Sequence, residues 1–582
     1  MRPGERYRVW APQVGTVALQ TPEGITPMRR DAGGWWIADR RARAGERYGY
    51  VLDGEGPFPD PRSEHQPDGV HALSAVVDHD AFEWHDAGWQ APPLASAVIY
   101  ELHVGTFTNA GTFDAAIERL PHLVDLGITH VELMPVCEFA GTRGWGYDGV
   151  DLYAPHHAYG GPDGLKRLVD ACHAHGLAVL IDVVYNHLGP AGNYLGRFGP
   201  YFTDRYRTPW GDAVNLDGAG SDDVRRFFCD NAAMWLREYH ADGLRIDAIH
   251  ALVDASAVHL LEQLAAEVDA LEAALGRHLV LIAESDLNDP RVVWPRERGG
   301  YGIDAQWSDD FHHALHTVLT GERTGYYEDF GTVDQLAVAV REGFVYGGLY
   351  SRHRGRIHGR APHGVPGSRF VVAAQNHDQI GNRAKGDRLS QLVTPGRLHI
   401  AAALLLTAPY VPLLFQGEEW GASTPFQYFT GHDEELGRLV AEGRRREFAA
   451  FGWDPAEIPD PQSIGTFERS RLDWSEAARP GHRDLLDWHR RLIALRRETP
   501  ALRNPDRQAC RVAVNDAESW IVVRRREIAT VCNLAGETRR IPLDGSGHVL
   551  LSSSRDVRLE QACMYMPPES AAIVRTETGG EA

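Results

Sequence analysis

Three short acidic segments carry the residue types that cleave glycosidic bonds. Asp247 lies in Asp-Gly-Leu-Arg-Ile-Asp-Ala (242–248), Glu284 in Leu-Ile-Ala-Glu-Ser-Asp (281–286) and Asp378 in Gln-Asn-His-Asp-Gln (375–379). Cleavage of a bond between two sugars needs one carboxylate as nucleophile and one carboxylic acid as proton donor. Each of these carboxylates follows a short apolar run, at 244–246, 279–283 and 370–374, that reads as a β-strand. A parallel barrel gathers the C-terminal ends of its strands on one face, and barrel active sites lie there. Carboxylates crowded together repel one another. A single one would be as well explained by an ion pair or a helix cap; three at successive strand ends point to chemistry.

Residues two apart on a strand share a face, so Arg245 and Asp247 point together into the barrel mouth. The guanidinium favours an ionised Asp247, as a nucleophile requires. Glu284 leaves an apolar strand close to other carboxylates. Desolvation and repulsion both raise its pKa, which suits a general acid. Asp378, next to His377, is placed to bind sugar hydroxyls and to favour a cationic transition state. A fourth segment, Asp182-Val-Val-Tyr-Asn-His187, sets His187 at the rim as a hydrogen-bond donor and Asp182 inside as an anchor. A lone rim histidine is more often structural; this one gains weight from its company.

The elements that must position these groups follow from the hydrophobic rhythm. From Ala97 onward, strands alternate with amphipathic helices; the candidate strands are 98–104, 129–134, 178–184, 243–247, 279–284, 303–307, 370–376 and 411–416. Eight such units imply an α/β fold, a (β/α)8 TIM barrel over 95–502, with insertions after strand 3 (189–217) and strand 8 (421–475). Residues 1–94 alternate apolar and polar positions in short runs broken by Gly and Pro, which predicts an immunoglobulin-like β-sandwich; 503–582 repeat the pattern as a second one. Trp35 and Trp36 on the first sandwich could stack on sugar, although such tryptophans are more often core. The final Thr-Gly-Gly-Glu-Ala is expected to fray.

Bulk properties exclude other classes. The chain has 582 residues, 43% hydrophobic and 24% charged, which is a globular composition with room for about three domains. A formal charge of −21 opposes nucleic-acid binding, which rests on basic residues neutralising phosphates. The N-terminus lacks the apolar core of a secretion signal. The most apolar stretch, 400–415, is broken by Pro409 and Pro412, so it predicts a buried helix and strand and no membrane span. Six scattered cysteines (137, 172, 229, 510, 532, 563) show no metal-ligand spacing and are expected to be free buried thiols of a cytoplasmic protein. Oligomeric state is not encoded legibly; a monomer is favoured.

In order and separation, the four segments resemble the signature motifs of the α-amylase superfamily of glycoside hydrolases. The resemblance implies that Asp247 forms a covalent glycosyl intermediate, Glu284 acts as acid then base, and Asp378 binds and distorts the sugar. It implies that Arg245, His187 and His377 bind hydroxyls, that Tyr147 of Gly144-Trp-Gly-Tyr-Asp148 stacks on the same sugar, and that His103 belongs to the site at the end of strand 1. If so, the Asp247 and Glu284 carboxyls should lie ~5–5.5 Å apart, the range for retention of configuration.

Three further stretches are similar to the trehalose-releasing members of the superfamily: Ala283-Glu-Ser-Asp-Leu-Asn-Asp-Pro-Arg291, Gln306-Trp-Ser-Asp-Asp-Phe-His-His-Ala-Leu315, and Gln416-Gly-Glu-Glu-Trp420 with Pro425-Phe-Gln-Tyr-Phe429. That similarity implies hydrolysis of the α-1,4 bond joining a maltooligosaccharide to a terminal trehalose, in trehalose biosynthesis. Asp286, Asn288 and Asp289 could bind hydroxyls on the leaving-group side, or form an Asx turn and cap. Trp307 could stack on sugar; Phe311 is at least as well suited to packing. A glucan-branching enzyme is the first alternative, since sugar and water compete for the same intermediate. A non-catalytic glucan-binding protein is more remote, because all three acids are present. Superfamily members often hold calcium near Asn186. Calcium wants six to eight oxygens, and no such set can be assembled here, so no metal and no cofactor is expected.

Overall fold

A computed structural model describes residues 2–449 and 458–577. The C-terminal residues 578–582 and the end of the helix-prone stretch near Phe451 lie outside the described residues. At the centre is a closed barrel of eight parallel strands: β1 (Ile99–Leu102), β2 (His130–Leu133), β3 (Ala178–Val183), β4 (Gly243–Ile246), β5 (Val280–Ala283), β6 (Ala305–Trp307), β7 (Phe370–Ala373) and β8 (Val411–Phe415). They pair in sequence order, and β8 closes on β1. Every expected barrel strand is present, trimmed by zero to three residues at an end.

Helices cover the barrel: α1 (Leu120–Leu126), α2 (Gly161–Ala174), α3 (Ser221–Glu238), α4 (Leu260–Leu275), α5 (Asp309–Thr320), α6 (Val333–Glu342), α7 (Pro395–Thr407) and α8 (His482–Glu498). No regular α-helix separates β5 from β6; two single 3-10 turns fill that gap. The apolar stretch resolves into α7 and β8. Thr394 caps α7 by accepting from the Arg397 amide, Pro395 occupies the first turn, and the helix is buried from Ile400 to Thr407. Its end carries the C-terminal sheets, because the buried Arg525 guanidinium donates to the carbonyls of Thr407, Ala408 and Leu502 at 2.8–3.0 Å. Carbonyls at a helix end need such donors.

Antiparallel sheets flank the barrel on both sides in sequence. At the N-terminal side Arg6–Trp10, Arg29–Arg30 and Trp35–Arg41 form one sheet; Val17–Thr21, Gly24–Pro27, Arg47–Leu52, Glu55–Phe58 and Ser74–Ala75 form another. At the C-terminal side a five-stranded sheet (β-strands within 510–576) faces a three-stranded one. Trp36 is core, donating to the Ala11 carbonyl. Trp35 lies 4.1 Å under the Arg8 guanidinium and donates to Asp223 of α3, so it packs between sheet and barrel and is not a sugar platform. All six cysteines are free; Cys563 alone is partly exposed. No helix among the described residues is long and apolar enough to cross a membrane.

Candidate active site

The barrel interior changes character along each strand. Its lower half is apolar, with Ile99, Leu180, Val280, Ile282, Val371, Val411 and Leu413 in one cluster. Two residues further on stand Glu101, Asp182, Arg245 and Glu284. Parallel register sets Asp182 beside Arg245 and Glu101 beside Glu132.

Arg245 is the hub. Its fully buried Nη1 donates to both oxygens of Asp182 at 2.8 and 2.9 Å and to Oδ1 of Asp247 at 2.7 Å, while Nη2 lies 3.8 Å from Glu284. One guanidinium thus bridges the two carboxyl groups expected to do the chemistry. The second oxygen of Asp247 accepts from the Asn186 amide at 2.9 Å. Both its oxygens are therefore held by donors, which fixes the carboxyl group in place.

Glu284 follows β5 with 13% of its side chain exposed. Burial pushes its pKa well up; Arg245 opposes this, and Asp247, Asp309 and Asp378 add to it. A carboxyl kept protonated near neutral pH is the form a general acid needs. Oε2 accepts from the Ala248 amide at 2.5 Å, and Ala248 has a left-handed φ of 39°. That conformation is costly for a residue with a Cβ; here it turns the chain after β4 so that the amide faces Glu284.

Asp378 opens a one-turn helix (His377–Gly381) capped by Asn376, and 42% of its side chain is exposed. Behind it His377 is buried, with Nε2 2.7 Å from the Tyr147 hydroxyl and 3.5 Å from Asp378. Tyr147 also donates to Asp182 at 2.7 Å and stacks on the His377 ring, 5.2 Å between centroids. His187 reaches the rim with Nε2 3.0 Å from the Tyr147 carbonyl and Nδ1 on Asn186. Asp247, Glu284, Asp378, Arg245, His377, Tyr147 and His187 therefore share one mouth.

Four other expected residues need separate accounts. Asp286 is 37% exposed and pairs with Arg354 at 2.8 Å; burial alone would raise it, but His250 and Arg354 outweigh that and hold it below the usual carboxylate range. Asn288 is buried, donating to Asp310 and to the Tyr346 carbonyl, and Asp289 caps the turn Pro290–Val292, so for these two the turn-and-cap alternative is the one realised. Trp307 is corrected from stacking platform to barrel interior: it is 4% exposed, with the Arg245 guanidinium 4.4 Å over its ring. The physical reason is that β6 turns this side chain inward, where its face meets the cation. His103 is likewise corrected: at 1% exposure it spends Nε2 on the Gly144 carbonyl and the Tyr159 hydroxyl and Nδ1 on Thr106. Burial pushes its pKa down to about 4, so it is a neutral clamp on the loop bearing Tyr147.

Residues with no role assigned from sequence also enter the site. Trp210, on the hairpin of Phe202–Thr208 and Gly211–Val214 after β3, is 49% exposed and lies parallel to His187 at 4.3 Å. Asp309, at the start of α5, is pushed up to about 7 by burial and by Asp378 and Asp286. Its Ser-Asp-Asp context after a strand end was the available signal; a tryptophan in a long insertion offers none.

Among the described residues one group of metal-ligand type occurs, Glu138 with His156 and His157. It lies on the hairpin after β2, and Glu138 accepts from His157 at both ring and backbone nitrogen. Asn186 directs its amide at Asp247 and its oxygen at His187.

Known proteins resemble this chain in sequence and fold. Residues 83–206 match the family model for the alpha amylase catalytic domain. A malto-oligosyltrehalose trehalohydrolase of Rhizobium sp. (strain M-11) is 53% identical, covering 98% of this chain and 97% of its own. A crystal structure from Salmonella typhimurium is 38% identical and superposes with a TM-score of 0.91 over 99% of both chains. A 1,4-alpha-glucan branching enzyme of Pseudoalteromonas atlantica is far less similar, at 27% identity over 73% of this chain and 61% of its own.

Proposed function

This chain belongs to the malto-oligosyltrehalose trehalohydrolase family of α-amylase-type glycoside hydrolases, and from that membership we propose how its barrel mouth performs the reaction. The enzyme hydrolyses the α-1,4 bond next to the terminal trehalose of maltooligosyltrehalose, releasing trehalose and a maltooligosaccharide. The near-full-length identity of more than half the residues carries this assignment.

The ionised Asp247 attacks the anomeric carbon of the sugar preceding trehalose. Glu284 gives its proton to the glycosidic oxygen, so trehalose leaves with a free 4-hydroxyl. The resulting ester between Asp247 and the glycosyl unit is then opened by water, whose proton returns to Glu284. Two inversions at one carbon retain its configuration. Arg245 spans both carboxyls and neutralises charge as it moves between them. Asp378, His377, Tyr147 and His187 bind the sugar that is attacked. Trp210 extends that surface as a stacking face, since half its ring is open to solvent beside His187. We assign Asp286, with its partner Arg354, and Asp309 to trehalose on the leaving-group side, because Asp286 follows the acid by two residues and Asp309 acts electrostatically on it. The enzyme needs no metal and works in the cytoplasm.

Incubation with maltopentaosyltrehalose tests the reading: free trehalose and maltopentaose are expected, with the new reducing end in the α configuration. Loss of amylose–iodine colour without trehalose would instead assign glucan branching. Release of a β-configured product would overturn the role of Asp247.

A further inference from the structure

Beneath the sugar-binding groups lies a second acidic layer that the mechanism above does not use. Glu101, on β1, is 1% exposed; one carboxyl oxygen receives Nδ1 of His377 and the other the His377 backbone amide at 3.1 Å. Both polar groups on one side of His377 are thus held by a single carboxylate. Its other nitrogen, Nε2, is thereby aimed at Tyr147 and Asp378. Glu132, beside Glu101 in register, is also 1% exposed, and neither of its oxygens has a hydrogen-bond partner among the described residues.

An unpartnered buried carboxylate is very costly, whereas a neutral carboxyl is tolerable. Burial and then the neighbouring Glu101 push the Glu132 carboxyl well up, toward its neutral form. Burial alone would depress His377, but Glu101 and Asp378 outweigh it and raise it to about 9. The other groups facing that ring are Tyr147, Asp182 on β3, Arg245 on β4 and the neutral His103, and of these Arg245 opposes a cationic His377.

We infer that Glu101 is a positioning residue: next to Glu132 on the neighbouring strand, it grips both Nδ1 and the backbone amide of His377 and so fixes the Nε2 side of that ring toward Tyr147 and Asp378 at the sugar subsite. The inference rests on the hydrolase reading above. A charged donor binds a developing negative or polar oxygen more strongly than a neutral one. It also pins the ring in one tautomer-independent orientation, since both nitrogens carry protons.

A double-mutant cycle on the full-length enzyme tests this. Glu101→Gln keeps an acceptor of the same shape but removes the charge. It is expected to lower kcat/KM by roughly tenfold at pH 7, with a loss that grows as pH rises and His377 empties earlier. In a His377→Asn background the same substitution should have almost no further effect. Equal losses in both backgrounds, or a pH-independent loss, would overturn the inference. Glu101→Asp, which retains the charge, should fall between wild type and Glu101→Gln; a worse result than Gln would assign shape and not charge, and would also overturn it. Should the wild type release no trehalose, the hydrolase reading fails; an active wild type with an additive cycle removes the role of Glu101 alone.

Discussion

The upper and lower halves of the barrel are built from the same eight strands, yet two residues of translation separate opposite chemistries. Leu180 gives way to Asp182, Ile282 to Glu284, and Ile99 to Glu101. The lower half closes the barrel with packed apolar side chains. The upper half concentrates Arg245, His377 and at least five carboxyl groups. The dry floor is part of why the layer above is chemically unusual. Side chains there lose water on one side without gaining a polar partner, so their protonation states respond strongly to one another. Asp182, held against Arg245, is still pushed up to about 6 by burial. The lower half thus contributes stability, and the upper half gives some of it up for reactivity.

Substitutions can separate these two halves, beginning with the largest effect on activity. Asp247→Ala should reduce turnover by roughly 10⁴-fold or more while the far-ultraviolet circular dichroism stays native. Appreciable residual hydrolysis would remove the nucleophile from the mouth. Glu284→Gln should cost about 10²–10⁴-fold and flatten the basic limb of the pH–rate profile, because the acid form of Glu284 is what pH removes. It should also stabilise the fold. A carboxyl whose folded pKa lies above its unfolded value binds its proton more tightly when folded, so wild-type stability falls as pH rises from the ordinary Glu range to the folded pKa. The variant escapes that fall, and its melting temperature should exceed that of wild type by about 2–4 °C at pH 7 and by little at pH 4. An equal margin at both pH values would mean that Glu284 is not the strained group.

Smaller effects mark the boundary of the site. Trp210→Ala should raise KM by roughly 3- to 10-fold, the value of one aromatic face, with kcat little changed; an unaltered KM would show that the ring serves only to cover His187. In the lower half Leu180→Ala should leave the pH profile as it is and cost about 2–5 kcal/mol of stability, measured by chemical unfolding. A shifted pH profile in that variant would show that the two halves are coupled more closely than their chemistry suggests.

How much of this was legible in the sequence differed by residue. The strands and the acids at their ends were legible because an apolar run closed by a carboxylate is a local pattern. Arg245 was legible through its two-residue spacing from Asp247. Trp307 and His103 were misplaced because an aromatic or histidine at a strand end looks the same whether it faces a groove or the interior. Asn288 and Asp286, two residues apart, took opposite fates, and only the positions of Asp310 and Arg354 decided that the first is tied into the interior and the second stays partly exposed in an ion pair. Glu101 and Glu132 read as ordinary strand residues, since nothing nearby in sequence announces a partner 276 residues away.

Sequence by itself therefore determined the barrel and set three acids at the ends of its strands, which follow from periodicity and residue type over short windows, while the class of reaction followed from the likeness of four short motifs to a known superfamily. Tertiary structure alone decided which polar groups meet. Closing the barrel brings strands 1, 2, 3, 4 and 7 within hydrogen-bonding reach around Arg245 and His377, and the protonation of each group then depends on its neighbours' charges and on lost solvent. Those quantities belong to the assembled mouth and to no single segment of the chain.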